Sequence, residues 1–410
     1  MKVVGVIAEY NPFHNGHAYH IAEAKRITGA DYCVVVMSGD FVQRGEPAIF
    51  PKQTRRDCAL RNGADLVLEI PVVGSTGSAE LFALSAVALL DAIGVTDYLA
   101  FGSETTDLNK LKELAGIFAE EPSEYQAFLK ENLRLGLSYP LARAEAVTAF
   151  TGDASFANTL SAPNSILGIE YCKAIQRLGS RIQPVPIRRA SSGYNDQTLK
   201  GEYASALAIR GAITGKQLKS DDWLCHIPEN TLNLLPRGED GIRFLTADDF
   251  SLLTRAALLT MTKEKAAFYS DVTPELAARI SHLSNDFHSY TAFCQLVKTK
   301  SYTYTRISRS LLHILLGVTD RSAANLKKSR YASYARVLGF RGASAPLLGF
   351  IKDKSRVPLI TKLPRQEKMP SSFRDALALD IHASRLYQTV LSDKYDLPYQ
   401  DEYAAPITVE

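Results

Sequence analysis

Through the first hundred residues the chain alternates short, almost wholly apolar runs with longer stretches whose apolar residues recur at helical spacing. Residues 2–8, 32–37, 65–70 and 97–101 are runs of the first kind. Strands that are apolar on both faces belong in parallel sheets covered by helices above and below. Between them, 16–28 carries His17, Ile21, Ala24 and Ile27 on one helical face and is closed by Gly29. Residues 52–62 and 78–93 also read as helices. Strand, helix, strand, helix in that order predicts a doubly wound, Rossmann-like α/β domain.

The pattern changes after Thr106. Residues 108–150 are helical with no strand between the segments, which predicts a helical insertion over about 107–180. A strand-like run returns at 182–187, followed by Arg188-Arg189, a Ser-Ser-Gly turn at 191–193 and a helix at 204–214. The α/β domain is therefore expected to span 1–215. Beyond it, 246–261, 273–283, 290–299, 305–316 and 321–338 are helical candidates, so 216–410 is expected to form a mainly α-helical C-terminal domain. A chain of 410 residues has room for two or three domains.

Composition narrows the setting. The five cysteines, Cys33, Cys58, Cys172, Cys225 and Cys294, are scattered and show no zinc or CxxC spacing, so no protein-held metal site is expected, Mg²⁺ arriving only with a phosphate ligand, and each cysteine reads as a small buried apolar residue in a reducing cytoplasm. No signal peptide and no membrane span is legible, so a soluble, cytoplasmic protein is expected. Net charge is only +3, yet 298–368 holds sixteen Lys and Arg against Asp320, Asp353 and Glu367. Tyr302, Tyr304, Tyr331, Tyr334 and Phe340 are interleaved with these charges. Cations with aromatic rings among them point to a nucleic-acid surface, with Lys327, Lys328 and Arg330 as its candidates.

The richest chemistry lies in Ile7, Ala8, Glu9, Tyr10, Asn11, Pro12, Phe13, His14, Asn15, Gly16 and His17, with His20 following. It reads as a strand end, a tight turn and a helix start. Unpaired backbone N–H groups at a helix N-terminus attract phosphate, and Gly16 permits close approach. His14 and His17, three apart, can face one phosphate and donate to it as charge builds, which suits attack at an α-phosphate with pyrophosphate leaving. A further phosphate element is Ser205 at a helix start with Arg210 five residues on. Arg188 and Arg189 follow a strand end, where ligands bind in α/β sheets. Arg44 and Lys52, near the end of the second strand, are candidates to meet nucleic-acid phosphates. Asp40, Glu46 and Glu104 are candidates to orient a nucleophile or to hold Mg²⁺ through a bound polyphosphate.

The histidine stretch resembles the HxGH signature of the nucleotidyltransferase superfamily, and Ser205 to Arg210 resembles its late serine-to-arginine motif, with Ala206 and Leu207 where hydroxyl residues are common. Residues 9–17, 37–45 (MSGDFVQRG), 101–104 (FGSE) and 162–167 (APNSIL), with Arg188-Arg189, resemble the bacterial tRNA(Met) cytidine acetate ligase family more closely, from residue 1 to about 400. That resemblance implies ATP bound by residues 7–20 with Gly102, Asn164 and Arg189. It further implies acetate activated as acetyl-adenylate, and transfer to N4 of the wobble cytidine in the anticodon loop of elongator tRNA(Met). The alternatives are a small-molecule adenylyltransferase of the same superfamily, which leaves the basic half unexplained, and a non-catalytic RNA-binding protein, which leaves the histidine pair unexplained. Lys368-Met369-Pro370-Ser371-Ser372 is only superficially similar to a synthetase KMSKS loop.

Overall fold

The computed structural model describes residues 1–189, 204–215 and 222–410; the turn expected at 191–193 lies outside them. Five parallel strands form the heart of the molecule: β1 (Val3–Ala8), β2 (Tyr32–Ser38), β3 (Leu66–Ile70), β4 (Tyr98–Ser103) and β5 (Gln183–Arg188). Their α/β pattern is the one the apolar runs predict. Three more strands come from the C-terminal half: β6 (Ala335–Phe340), β7 (Leu359–Ile360) and β8 (Thr408–Val409). The sheet order is β7-β6-β3-β2-β1-β4-β5, with β8 pairing β6. β6 runs antiparallel to β3, placing Arg336 opposite Glu69. The sequence division near residue 215 is thus not a division of the sheet.

Side chains alternate between two cores, as a pleated strand requires. Val34, Val36, Leu66 and Leu68 pack with Phe82 to Ile93 on one face; Cys33, Val35, Met37 and Val67 pack with Ile21, Ala24 and Cys58 to Leu60 on the other. The helices are α1 (Asn15–Thr28), α2 (Lys52–Arg61) and α3 (Ala79–Ala92). The helical insertion supplies α4 (Leu108–Glu120), α5 (Ser123–Arg134), α6 (Tyr139–Thr151) and α7 (Pro163–Leu178). α8 is Ala206–Thr214.

Helices follow in the C-terminal half: α9 (Ser251–Leu259), α10 (Pro274–Leu283), α11 (Tyr290–Val297), α12 (Tyr304–Leu316), α13 (Asp320–Lys328), α14 (Ala345–Lys354) and α15 (Arg374–Tyr395). The helix expected over 321–338 is corrected here: it stops at Lys328, and the chain turns through Arg330 (φ 54°) and Tyr331 (φ 67°) into β6. No glycine or proline marks that turn, so the sequence carries no break signal there.

From β1 the chain adds β2 and β3 on one side, then returns to place β4 and β5 on the other. The order reverses between β1 and β4, and such a switch point opens a crevice at the carboxyl ends of the strands.

Candidate nucleotide site

The crevice is occupied by the strand-turn-helix stretch. β1 ends at Ala8, and Tyr10 adopts φ 51°, a left-handed conformation uncommon for a bulky residue, to aim the chain into α1. Its ring is buried and meets Phe13 and His17 edge-on, with centroids 4.8 Å away in both cases. This wedge fixes His17, whose imidazole lies over that of His14 with centroids 3.7 Å apart.

The two imidazoles are locked by the backbone. Gly16 N–H donates to Nδ1 of His14 at 3.1 Å, and His14 N–H donates to Nδ1 of His17 at 3.3 Å. A nitrogen that accepts cannot carry the proton in a neutral ring, so both rings are the Nε2–H tautomer. Each therefore keeps one N–H donor for a ligand. Burial keeps both rings neutral: His14 is lowered to about 3, further pushed by Arg189, His226 and Arg210. His17 is held well below the ordinary range by burial and then by His14. Burial also lowers His20, to about 4.

Around them, one cavity is lined by Ile7, Ala8, Glu9, Tyr10, Asn11, His14, Gly16, His17 and His20, together with Gly102, Asn164, Arg188, Arg189, Ser205 and Arg210. Three residues of the motif do not line it. Phe13 is buried in the core, Pro12 sits in the turn, and Asn15 instead donates from Nδ2 to the Cys225 carbonyl at 2.9 Å. Arg210 Nη1 donates to the Asn11 carbonyl at 2.6 Å, tying α8 to the turn. Ser205 caps α8 by accepting from Ala208 N–H at 3.0 Å. Gly102 is tight: a Cβ there would lie 3.3 Å from Arg189 Cγ.

The candidate carboxylates separate. Glu104 accepts from Asn164 Nδ2 at 2.7 Å and from Ser165 N–H at 2.8 Å, and Asn164 Oδ1 accepts from Arg189 Nη1 at 2.8 Å. Glu104 therefore aims Asn164 and Arg189. Asp40 is buried and accepts the N–H of Lys52 at 2.9 Å, away from the cavity. Lys52 itself is 1% exposed and paired with Glu69 at 2.8 Å and Glu402 at 2.7 Å, so it meets no tRNA phosphate. Arg44 lines the same cavity as the histidines. Glu46 is half-buried, its carboxyl raised by burial and lowered in turn by Arg210 and Arg44. No group of three His, Cys, Asp or Glu among the described residues is arranged to hold a metal ion.

Sequence reasoning missed Tyr19, Gln43, Phe82, Phe101, Leu167 and Tyr171 of the lining. It also missed His226, buried beside His14 with an Nδ1 that has no partner among the described residues. Among the described residues the Asn15–Cys225 latch ties that segment to α1, and 210 positions of sequence separate the two. Lys327, Lys328 and Arg330 are exposed on and just beyond α13, outside this cavity. The basic window is also less bare than its count: Arg309, Arg336, Arg341 and Arg356 pair with Asp271, Glu69, Asp65 and Asp91, all outside it. Cys33, Cys58, Cys172 and Cys294 are buried as expected, whereas Cys225 is exposed.

The sequence model of the HIGH Nucleotidyl Transferase family matches residues 1–401. The tRNA(Met) cytidine acetate ligase of Acetivibrio thermocellus is 41% identical over 392 residues, covering 94% of each chain. That of Caldanaerobacter subterraneus subsp. tengcongensis is 41% identical over 387 residues, covering 93% of this chain and 95% of its own. The crystal structure of Thermotoga maritima TmcAL superposes over the whole of both chains with TM-score 0.91 at 33% identity. The same protein bound with alpha-thio ATP gives TM-score 0.87.

Proposed function

This chain belongs to the HIGH nucleotidyltransferase family, alongside the tRNA(Met) cytidine acetate ligases, and from that premise we propose that it is an ATP-dependent ligase placing an acetyl group on a cytidine of tRNA(Met). The observation that carries the site assignment is the pair of Nε2–H imidazoles, His14 and His17, fixed at the start of α1 in the switch-point crevice. In the first step a carboxylate oxygen of acetate attacks the α-phosphorus of ATP, giving acetyl-adenylate and pyrophosphate. The two imidazoles donate to phosphate oxygens where charge accumulates, in a buried site where such bonds are strong. Arg189 and Arg210 hold the remaining phosphate charge. In the second step N4 of the wobble cytidine attacks the acetyl carbonyl and AMP leaves.

Tyr10, Asn11 and Gly102 form the close-approach wall of the nucleotide site, and Asn164, set by Glu104, orients Arg189. We place Mg²⁺ on the triphosphate rather than in a protein cage: Asp40 and Glu104 are engaged by Lys52 and by Asn164 with Ser165. The α/β region, residues 1–215 with its insertion at about 107–180, serves activation, and 216–410 offers Lys327, Lys328 and Arg330 to tRNA phosphates. A tRNA substrate places the protein in the cytoplasm. Among the described residues no helix is long and apolar enough to cross a membrane.

The test is incubation of bulk tRNA with the protein, ATP and isotopically labelled acetate, followed by nucleoside mass spectrometry. Label in N4-acetylcytidine of elongator tRNA(Met), dependent on ATP, is expected. Label in a small molecule only would replace the reading with a small-molecule adenylyltransferase.

A further inference from the structure

A second cavity, of about 610 Å³, opens between α13 and the start of α15. Its size falls within the roughly 300–1,000 Å³ of ligand sites. Pro71, one residue past the carboxyl end of β3, and Ser333, two residues before β6, line it. Because β6 is antiparallel to β3, both residues lie at the same edge of the sheet as the nucleotide crevice. β1 and β3 are separated only by β2, so with adjacent strands about 4.8 Å apart the ends of these two strands lie on the order of 10 Å apart along that edge.

The lining is unlike the nucleotide site. Arg321 and Lys328 are exposed and make no ion pair among the described residues. The hydroxyls of Ser333, Ser371 and Ser372 likewise make no hydrogen bond among the described residues. Beneath them, Val73, Leu326 and Phe373 are buried and form an apolar floor. One acid, Asp375, is at the rim.

Cations without partners suit phosphate, free hydroxyls suit a 2′-OH, and an apolar floor suits the face of a base. We infer that this cleft binds an unpaired ribonucleotide of the acceptor tRNA, close to the reacting cytidine in the same loop. This rests on the ligase reading of the chain and adds to it a second contact on the same edge of the sheet. Two anchoring points on one loop would hold it splayed, so that the base between them reaches the adenylate.

The test uses the full-length protein, an unmodified tRNA(Met) transcript and two variants. Ser372→Trp fills the mouth without changing charge; Arg321→Ala removes one phosphate partner. Both are expected to raise the KM for tRNA about tenfold or more while leaving ATP affinity unchanged, in line with the cost of losing one bound base. Arg321→Ala should also lower the salt slope of tRNA binding by about one, and Ser372→Trp should not. If Ser372→Trp melts early, Asn325→Trp fills the cleft from the facing wall and carries the same expectation. Wild-type KM for tRNA in the variants would overturn the cleft as an RNA site. A parallel loss of ATP affinity would overturn it as a site separate from the nucleotide crevice. Failure of the ligase reading is distinguishable, because the wild type itself would then transfer no acetate to the transcript.

Discussion

His14 and His17 are set for donation before any nucleotide arrives, since their Nδ1 atoms are already spent on backbone N–H groups. On the proposed mechanism His17→Ala removes a donor whose bond strengthens as the α-phosphorus is attacked, so the rate should fall roughly 10²-fold or more while ATP binding weakens less. Unchanged pyrophosphate release at saturating substrate would remove His17 from the chemistry. Arg210 differs, because its bond to the Asn11 carbonyl and its place in the cavity are made in the ground state. Arg210→Ala should raise the KM for ATP, and an ATP KM equal to wild type would show that α8 contributes no phosphate contact. The lowered histidines also leave a mark on stability. Between their folded values, about 3 for His14 and about 4 for His20, and the ordinary value of about 6.5, the unfolded chain binds more protons than the folded one. Stability of the free protein therefore rises with pH across that window and is lost as pH falls below about 6.5. Melting temperatures from pH 7 to 5 should drop less steeply for His20→Gln than for wild type; parallel curves would contradict it.

At the scale of elements, a buried ion cluster joins segments of the chain that the sequence keeps far apart. Lys52 of α2 pairs with Glu69 of β3 and with Glu402, while Arg336 of β6 pairs with the same two acids. All four side chains are 7% exposed or less. Removing one partner strands the others without solvent, so Lys52→Met should cost about 3–5 kcal/mol in chemical denaturation. A loss under about 1 kcal/mol would mean that the acids take up protons at little cost. Arg336 also explains why β6 escaped the sequence reading. An arginine at the second position of a six-residue strand, after a helix with no glycine or proline stop, continues a polar helical pattern on paper. The strand is stable because a carboxylate from β3 faces that guanidinium. The central strands needed no such partner and were legible as plain apolar runs.

For the whole molecule, the hairpin formed by Phe41–Val42 and Glu46–Pro47 reaches from the sheet edge to the C-terminal helices. Gly45, at φ 80°, offers its carbonyl to Tyr290 OH at 3.0 Å and to Ser308 Oγ at 2.8 Å. The helical half is thereby docked on the nucleotide half, which suits a large acceptor spanning both. Reversing Lys327, Lys328 and Arg330 together should weaken tRNA binding and reduce its dependence on salt, since each lost phosphate contact removes about one counterion from the slope. Equal affinities at two salt concentrations, for wild type and triple variant, would leave these residues as ordinary solvated charges. The sequence by itself determined what is local: the apolar period of the parallel strands, and a histidine pair at a helix start, because both are written within a few consecutive residues. Only the tertiary structure decided what depends on distant partners. It turned Lys52 inward because its counter-charges lie at Glu69 and Glu402, and it buried Asp40 against the start of the same helix. It brought His226 to His14 through a latch at Cys225, and it assembled a second cleft from residues near 71, 328 and 372. Charge and hydroxyl groups say what they can bind; where they point is fixed by the contacts that bury their neighbours.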